Sequence, residues 1–487
     1  MVVSLYTSRI VLSALGIEDF GIWSVVGGIV AMFLFIKESL SASVGRFLTF
    51  AIGEKDQHKI NKAFSTSIII HVVFAIAIVI ICESVGLWFL DEKLTIPESK
   101  RWLAYWVFHI SVASSVLSII SVPFHSALIA YERMNVYAYI GLWDAFFKLV
   151  IAYIITVFAD NRLLIYGLLL LLSSILTTIF VVAYVRHAFP QMRYYTVRDK
   201  KMFLSVFSFT GWSIFGNVAF MTYTQGLNMI INMFFGPIVN AARAVSIQIE
   251  QSVRTFVTNF QAAVNPQIIK NCAAQDWDSM HLLMYRSSKF SAFLLFLFSL
   301  PIVLEIDTIL DLWLKEVPGH TANFCRIMFA VIMLETISNS IMIGVSANGD
   351  IKKYQLVVSS ILLTILPISY VALSLGYGPE SVFVIYLVVE ILACIARLII
   401  AREKIHISVR RFFTQVITVI TYTMVVGSIA PTILHIILPE GISRFLIVLI
   451  IGAMTSCISI YWLGLDTNER TFVREKIIRR IIKKQRH

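Results

Sequence analysis

Charge is scarce in this chain: 14% of its 487 residues are Asp, Glu, Lys or Arg, against roughly 25% in an ordinary soluble domain. With 58% hydrophobic residues, a water-soluble fold has too little polar surface to cover the apolar remainder. Long connectors are missing too. The longest run between apolar segments is the basic stretch from Arg186 to Lys201, which excludes a separate soluble catalytic domain. Five cysteines (Cys82, Cys272, Cys325, Cys394, Cys457) are dispersed without a C-x-x-C or a neighbouring histidine, so neither a disulfide framework nor a metal site is expected. H-E-x-x-H, G-x-x-x-x-G-K and G-x-G-x-x-G are all lacking, so no nucleotide-driven or cofactor chemistry is expected. The chain does not read as an enzyme.

What the sequence has in abundance is apolar runs of bilayer length. Residues 68–81, 163–184 and 445–463 are apolar almost all round, and a hydrocarbon core needs about 20 such residues per helix. The pattern predicts an all-α integral membrane protein of about fourteen helices. They lie at 1–15, 20–51, 62–90, 102–131, 136–159, 162–186, 202–235, 240–270, 279–314, 321–347, 353–375, 380–402, 411–436 and 443–464. Breakers such as Gly53, Pro97, Pro190, Gly236-Pro237 and Gly349 stand between them. Counted over alternate connectors, 24 Lys and Arg fall on one side and 6 on the other. By the positive-inside rule, both termini of this multi-pass protein are then cytoplasmic. The net charge of +11 follows from this topology rather than from affinity for nucleic acid.

The first span, at 1.5 Å per residue, rises only about 22 Å, short of the ~30 Å core. The helix is therefore expected to begin upstream of Met1, and the segment does not read as a cleaved signal peptide. From Asn468 onward the tail reads either as a basic amphipathic helix on the anionic inner leaflet or as a solvated charged segment.

An internal repeat organises the rest. A shift of 220 residues superposes Gly16 on Gly236, Ala42 on Ala262, Asp56 on Asp276 and Ser67 on Ser287, and a shift of 225 puts Leu87-Trp88 on Leu312-Trp313. Two six-helix lobes related by a pseudo-two-fold axis, 1–186 and 202–402, are the economical reading. A cytoplasmic linker at 187–201, two additional helices in 403–466 and a basic cytoplasmic tail at 467–487 complete it.

Ionisable groups inside spans cost about 2.5–3.5 kcal/mol each on insertion scales, so they face a bundle interior or a watery chamber. In the eighth span Arg243, Glu250, Arg254, Gln261 and Asn265 are spaced by 7, 4, 7 and 4 and fall within a sector of roughly 60°. This stripe is either an Arg-Glu-Arg ladder between helices or a substrate-facing surface. The second span sets Ser24, Gly27, Ala31, Glu38, Ser41 and Gly45 on one face, with Lys37 and Arg46 beside it. Arg9 lies well inside the first span. The seventh carries Ser205, Ser208, Thr210, Ser213, Asn217, Thr222, Thr224, Gln225, Asn228 and Asn232, hydroxyls and amides that suit either a polyhydroxylated cargo or interhelical hydrogen bonds. Asp144 with Lys148 and Glu390 with Arg397 read as structural pairs, and Glu305, Asp307 and Asp311 as interfacial acids. Arg9, Arg243 and Arg254 against Glu38 and Glu250 make a mildly positive interior, fit for phosphate.

The segment Val2–Val30, opening Val-Val-Ser-Leu-Tyr-Thr-Ser-Arg and continuing Leu-Gly-Ile-Glu-Asp-Phe-Gly-Ile-Trp-Ser-Val-Val-Gly-Gly, resembles the N-terminal region of Wzx-type O-antigen and polysaccharide flippases. Arg46-Phe47-Leu48-Thr49, Asn240-Ala241-Ala242-Arg243 and Asn265-Pro266-Gln267-Ile268-Ile269-Lys270 are similar to later elements of the same family. These proteins belong to the multidrug/oligosaccharidyl-lipid/polysaccharide exporter superfamily. The resemblance implies a V-shaped pair of lobes working by alternating access. The implied cargo is an undecaprenyl-diphosphate-linked oligosaccharide carried to the outer leaflet for O-antigen, capsule or exopolysaccharide assembly. By similarity, Arg9, Arg46, Arg243 and Arg254 would hold the diphosphate. Glu38 and Glu250 would couple to a proton or sodium gradient, and Gln261, Asn265, Asn217 and Gln225 would line the cavity. No cofactor is implied; the partners implied are the lipid-linked oligosaccharide, membrane lipids, a polysaccharide polymerase and other assembly proteins. The short N-terminus departs from the family pattern. A cation-coupled multidrug or small-molecule antiporter of the same fold is the alternative, and a membrane-embedded polymerase or glycosyltransferase the next.

Overall fold

The computed structural model describes residues 34–92, 97–157, 161–192, 199–314 and 317–472, with Tyr194, Tyr195, Arg474 and scattered positions between 6 and 26. The chain divides into two compact units, Met1–Asn217 and Val218–His487. Among the described residues every regular element is a helix. Eleven helices are long and apolar enough to cross a membrane. Of the fourteen expected from the sequence, the first two overlap residues outside the described set. The eighth, which carries Arg243, Glu250 and Arg254 together with several Gln and Asn residues, is not among the eleven.

In the first unit the helices are α1 (Leu34–Gly53), α2 (Gln57–Ile81), α3 (Arg101–Ala130), α4 (Met134–Val157) and α5 (Arg162–Ala188). Helix α3 is the central element and packs against α1, α2 and α5. Asp56 starts α2, its carboxylate accepting from the backbone N–H groups of His58 at 2.9 Å and Lys59 at 3.2 Å. That satisfies two of the donors a helix start leaves orphaned, in a turn that would otherwise lose them to water.

Helix α6 runs from Lys200 to Ala273 and breaks at Gly236, giving two arms. Its first arm begins in the first unit and ends in the second, so the compact division falls within this helix, whereas the sequence placed a linker at 187–201. The second unit continues with α7 (Trp277–Leu304), α8 (Ile306–Trp313), α9 (Thr321–Asn348), α10 (Lys352–Leu363), α11 (Ile365–Ser374), α12 (Glu380–Ile405), α13 (Val409–Phe412), α14 (Thr418–Ile437), α15 (Ile442–Ser459) and α16 (Thr467–Phe472). Helix α9 is held between α12 and α7. The two additional helices, α14 and α15, pair with each other and lean on α7.

Ion pairs fasten α14 and α15 to one end of α7 and the following α16 to the other. At one end Glu305, fully buried, accepts from Arg444 Nε at 3.0 Å and pairs with His435 Nδ1 at 2.8 Å. Glu305, expected from the sequence as an interfacial acid, is thus buried against α14 and α15 with Arg444 and His435 as partners. Asp307, next along, does stay exposed and pairs with Arg326 at 2.5 Å. At the other end Glu469 lies between Lys289 Nζ, at 2.7 Å, and Arg286 Nε, at 3.3 Å.

The repeat seen in the sequence has a backbone counterpart. Gly16 and Gly236 share a positive φ, +78° and +76°. Lys55 and Gln275, each just before the capping aspartate, both take φ of 57°. Asp276 caps α7 through the Ser279 N–H at 3.1 Å as Asp56 caps α2, and Ser67 and Ser287 are both buried.

At Gly236, with ψ near −171°, the backbone sits in a region that is essentially glycine-only. A Cβ there would meet nothing within 4 Å, so substitution tests conformation alone. Gly236→Ala is expected to cost about 1–3 kcal/mol, read as a lowered thermal midpoint of the detergent-purified protein. An unchanged midpoint would show that the turn carries no such constraint.

Candidate functional site

The second arm of α6 brings its polar stripe against α9 and α12. Arg254 Nη2 lies 3.0 Å from Glu250 Oε1 and forms an ion pair with Glu335 Oε2 from α9. Glu335 also accepts from the Tyr386 hydroxyl at 2.8 Å, and Tyr386 meets Tyr223 edge to face with ring centroids 5.7 Å apart. One turn beyond Tyr386, Glu390 pairs with Arg397 on the same face of α12, as their spacing predicted. Gln261 Nε2 donates to the Thr336 carbonyl at 3.1 Å. The stripe is thus in contact with α9 along much of its length.

Arg243 has a different task. Its Nη2 donates to the Thr224 carbonyl at 3.0 Å and its Nη1 to Asn228 Oδ1; Asn228 in turn donates to Gln225 Oε1 at 3.0 Å. The guanidinium, buried, ties the second arm of α6 to the first across the glycine bend. Nε of Arg243 and of Arg254, and Oδ1 of Asn265, have no hydrogen-bond partner.

Three guanidinium groups (Arg243, Arg254, Arg397) therefore share the interior of the second unit with three carboxylates (Glu250, Glu335, Glu390). This part of the interior is formally neutral, where Arg243 and Arg254 against Glu250 alone left it positive. Glu335 is the missing term. It is the one acidic residue in its span, and the requirement that a charge in hydrocarbon find an opposite charge is the signal that finds it.

A second feature escaped the helical-face count. Gln248, Gln251, Thr255, Thr258 and Asn259, adjacent to the charged stripe on the same arm, are exposed. On the first arm Thr222, Gln225 and Asn232 are exposed as well. These are uncharged amides and hydroxyls on the outside of the helix, where a span facing lipid would carry apolar side chains.

The remaining expected residues belong to the first unit. Glu38 is exposed and lines a cavity of ≈ 410 Å³ with Lys37, Ser41, His125, Asp144 and Thr177. Asp144 pairs with Lys148 at 2.7 Å, the i, i+4 contact its spacing implied. The Arg46 guanidinium stacks over Phe47 and Phe50, 4.5 and 4.7 Å from the ring centroids. Asn217 Nδ2 donates to Ser39 Oγ at 2.7 Å. Arg9, with Ser24, Gly27 and Ala31, lies outside the described residues, as does most of the tail beyond Phe472. Among the described residues no group of His, Cys, Asp and Glu is placed to hold a metal.

No protein-family model matches the sequence, and no curated protein matches it. Solved structures do. An outward-facing multidrug resistance MATE family transporter of the MOP superfamily aligns with TM-score 0.73 at 13% identity, covering 83% of this chain and 92% of its own. A MATE protein in a bent conformation aligns with TM-score 0.70 at 13% identity, covering 86% and 92%. A MOP superfamily transporter from Pyrococcus furiosus, described as having a binding pocket of reverse polarity that suggests a different function, aligns with TM-score 0.68 at 13% identity, covering 83% and 93%. This chain is a multi-pass membrane protein with the fold of these transporters.

Glu390 is almost wholly buried and Arg397 is its ion-pair partner. Removing one member of such a pair strands the other charge at a cost of about 3–5 kcal/mol. Arg397→Met is expected to lower detergent stability by that order, and Glu390→Gln with Arg397→Met to recover most of it. A single variant as stable as wild type would show that the pair contributes nothing.

Proposed function

We propose that this chain is a flippase that moves an undecaprenyl-diphosphate-linked oligosaccharide from the inner to the outer leaflet by alternating access, for surface polysaccharide assembly. The observation that carries the reading is the exposed, uncharged polar face on α6, Gln248, Gln251, Thr255, Thr258 and Asn259. Amides and hydroxyls offer both donors and acceptors to sugar hydroxyls and cost less within a span than charges. Arg254 lies next to this face with its side chain about a quarter exposed (26%) and its Nε without a partner. A diphosphate would take hold there by competing with Glu335 for the guanidinium, since arginine suits bidentate phosphate contacts. Arg46 is half-buried over its aromatic rings, and Arg243 acts through the hairpin it clamps. The fold shared with MOP superfamily transporters supports transport, and the resemblance to Wzx-type flippases supports the cargo. Glu38, in the first-unit cavity, and Glu250 are the candidate sites of cation coupling.

The test is complementation of surface polysaccharide in a host lacking its own flippase, with membrane levels followed by immunoblot. Gln251→Leu with Asn259→Leu, and separately Arg254→Ala, are expected to reduce polysaccharide at least tenfold, the loss of one or two hydrogen bonds to a charged or polar cargo. Wild-type complementation by both would refute the assignment. Drug resistance conferred on a pump-deleted host, with no effect on polysaccharide, would favour the multidrug antiporter reading, which the likeness to a multidrug resistance MATE transporter keeps open.

A further inference from the structure

At one end of the second unit the turns after α6, α9, α12 and α15 gather together. His281 Nε2 donates to the Ile405 carbonyl at 2.7 Å, and Lys404 pairs with Asp350 at 2.6 Å. This is the end to which the distribution of Lys and Arg assigns the cytoplasm. Two cavities of ≈ 560 and ≈ 370 Å³ open there and share Leu282, Tyr285 and Gln415 as a common wall. They form one groove between the start of α7 and the helix pair α14 and α15.

The two ends of the groove are chemically unlike. At the inner end Glu469 supplies a carboxylate between Arg286 and Lys289, as described above. The segment that delivers it is locally fixed by a reciprocal cap: Asp466 N donates to Glu469 Oε2 at 2.9 Å and Glu469 N to Asp466 Oδ1 at 2.8 Å. An anion therefore already completes this half, and it comes from the chain itself.

At the outer end the wall is Trp277, His281, Tyr285, His406, Ser408 and Arg411, with one carboxylate, Asp278, at its edge. Arg411 is exposed and has no carboxylate within ion-pair distance among the described residues. Ser408 Oγ accepts from the Arg411 backbone N–H at 3.3 Å, which leaves its hydroxyl proton free to donate. A guanidinium, a hydroxyl, the His406 imidazole and the Gln415 amide line this end as donors for phosphate oxygens, while His281 has already given its Nε2 proton to Ile405. Trp277 and Tyr285 are the aromatic types that settle at the membrane–water boundary, and Leu282, Val419 and Leu463 make the adjoining wall apolar. Basic pockets between spans on the cytoplasmic side suit phosphate headgroups.

We infer that this groove is a site for the phosphodiester headgroup of an anionic glycerophospholipid of the inner leaflet, seated on Arg411 with Ser408 and Gln415. It lies apart from the charged interior of α6, α9 and α12 and does not depend on the transported cargo. The mixed apolar wall favours a lipid over a free phosphate ion.

The experiment uses the full chain, delipidated in a neutral detergent. Phosphatidylglycerol, phosphatidylcholine and glycerol phosphate are titrated separately, with binding counted by native mass spectrometry and stability followed by thermal midpoint. Wild type is expected to retain phosphatidylglycerol in preference to phosphatidylcholine. Arg411→Gln is expected to weaken that retention about fivefold, the contribution of one basic residue near a membrane surface. Arg402→Gln, a change at the same end outside the groove, should leave it as in wild type. Because Arg411 is exposed, its replacement is not expected to impair folding, and the unliganded midpoint checks this. Equal loss in the two variants would overturn the site in favour of diffuse surface attraction. Equal retention of the two lipids would overturn recognition of the anionic headgroup, and a full response to glycerol phosphate would replace the lipid with a soluble phosphate ester.

Discussion

An ion in hydrocarbon must meet its opposite, and the second unit is built around that demand. Each charge placed within a span costs several kcal/mol in lost hydration, recovered only when partners are close and well oriented. Arg254 draws Glu250 from its own helix and Glu335 from α9; Glu335 draws Tyr386 from α12; Glu390 and Arg397 close the set one turn further on. Three helices that could slide past one another as greasy rods are instead held in one register. The same demand acts at α7, where Glu305 fastens α14 and α15 at one end and Arg286 and Lys289 hold Glu469 of α16 at the other. In a solvent that offers no hydrophobic drive between helices, such contacts specify which neighbours belong together.

The architecture could be read from the sequence because it rests on long, additive signals. Apolar runs, breakers and the partition of basic residues each average over many positions, and a mistaken helix would have upset the partition at once. The repeat of Asp56 at Asp276 and the break at Gly236-Pro237 are equally visible; that the two aspartates cap helices is shown by the structure. The charged cluster was only half visible. Helical spacing placed Arg243, Glu250, Arg254 and Gln261 on one side of α6, but which helix that side would meet is a tertiary fact. Hence the sequence does not mark Glu335, 81 residues from its partner Arg254, nor the pairing of Glu305 with Arg444 and His435. The exposed amides Gln248, Gln251 and Asn259 were overlooked for another reason. A count of charges finds the costly residues, whereas neutral polar groups cost little enough that only their exposure marks them out.

Arg243 shows why a polar stripe is not by itself a binding surface. It shares a helical face with Arg254, yet its hydrogen bonds run to Thr224 and Asn228, across the bend and within the same hairpin. Arg254 reaches outward to another helix and keeps a quarter of its side chain accessible. Two arginines of identical sequence context in the helical sense thus divide into one that shapes the backbone and one that can exchange partners.

The glycine bend itself occurs twice, at Gly16 and Gly236, with nearly equal torsion. Counting forward equally from each, Arg243, Glu250, Arg254, Gln261 and Asn265 correspond to Trp23, Val30, Leu34, Ser41 and Gly45. One copy of the turn leads into ionised side chains, the other into bulky and small neutral ones. The backbone bend is repeated while the residues at these five places are not, so the same turn serves two different chemistries.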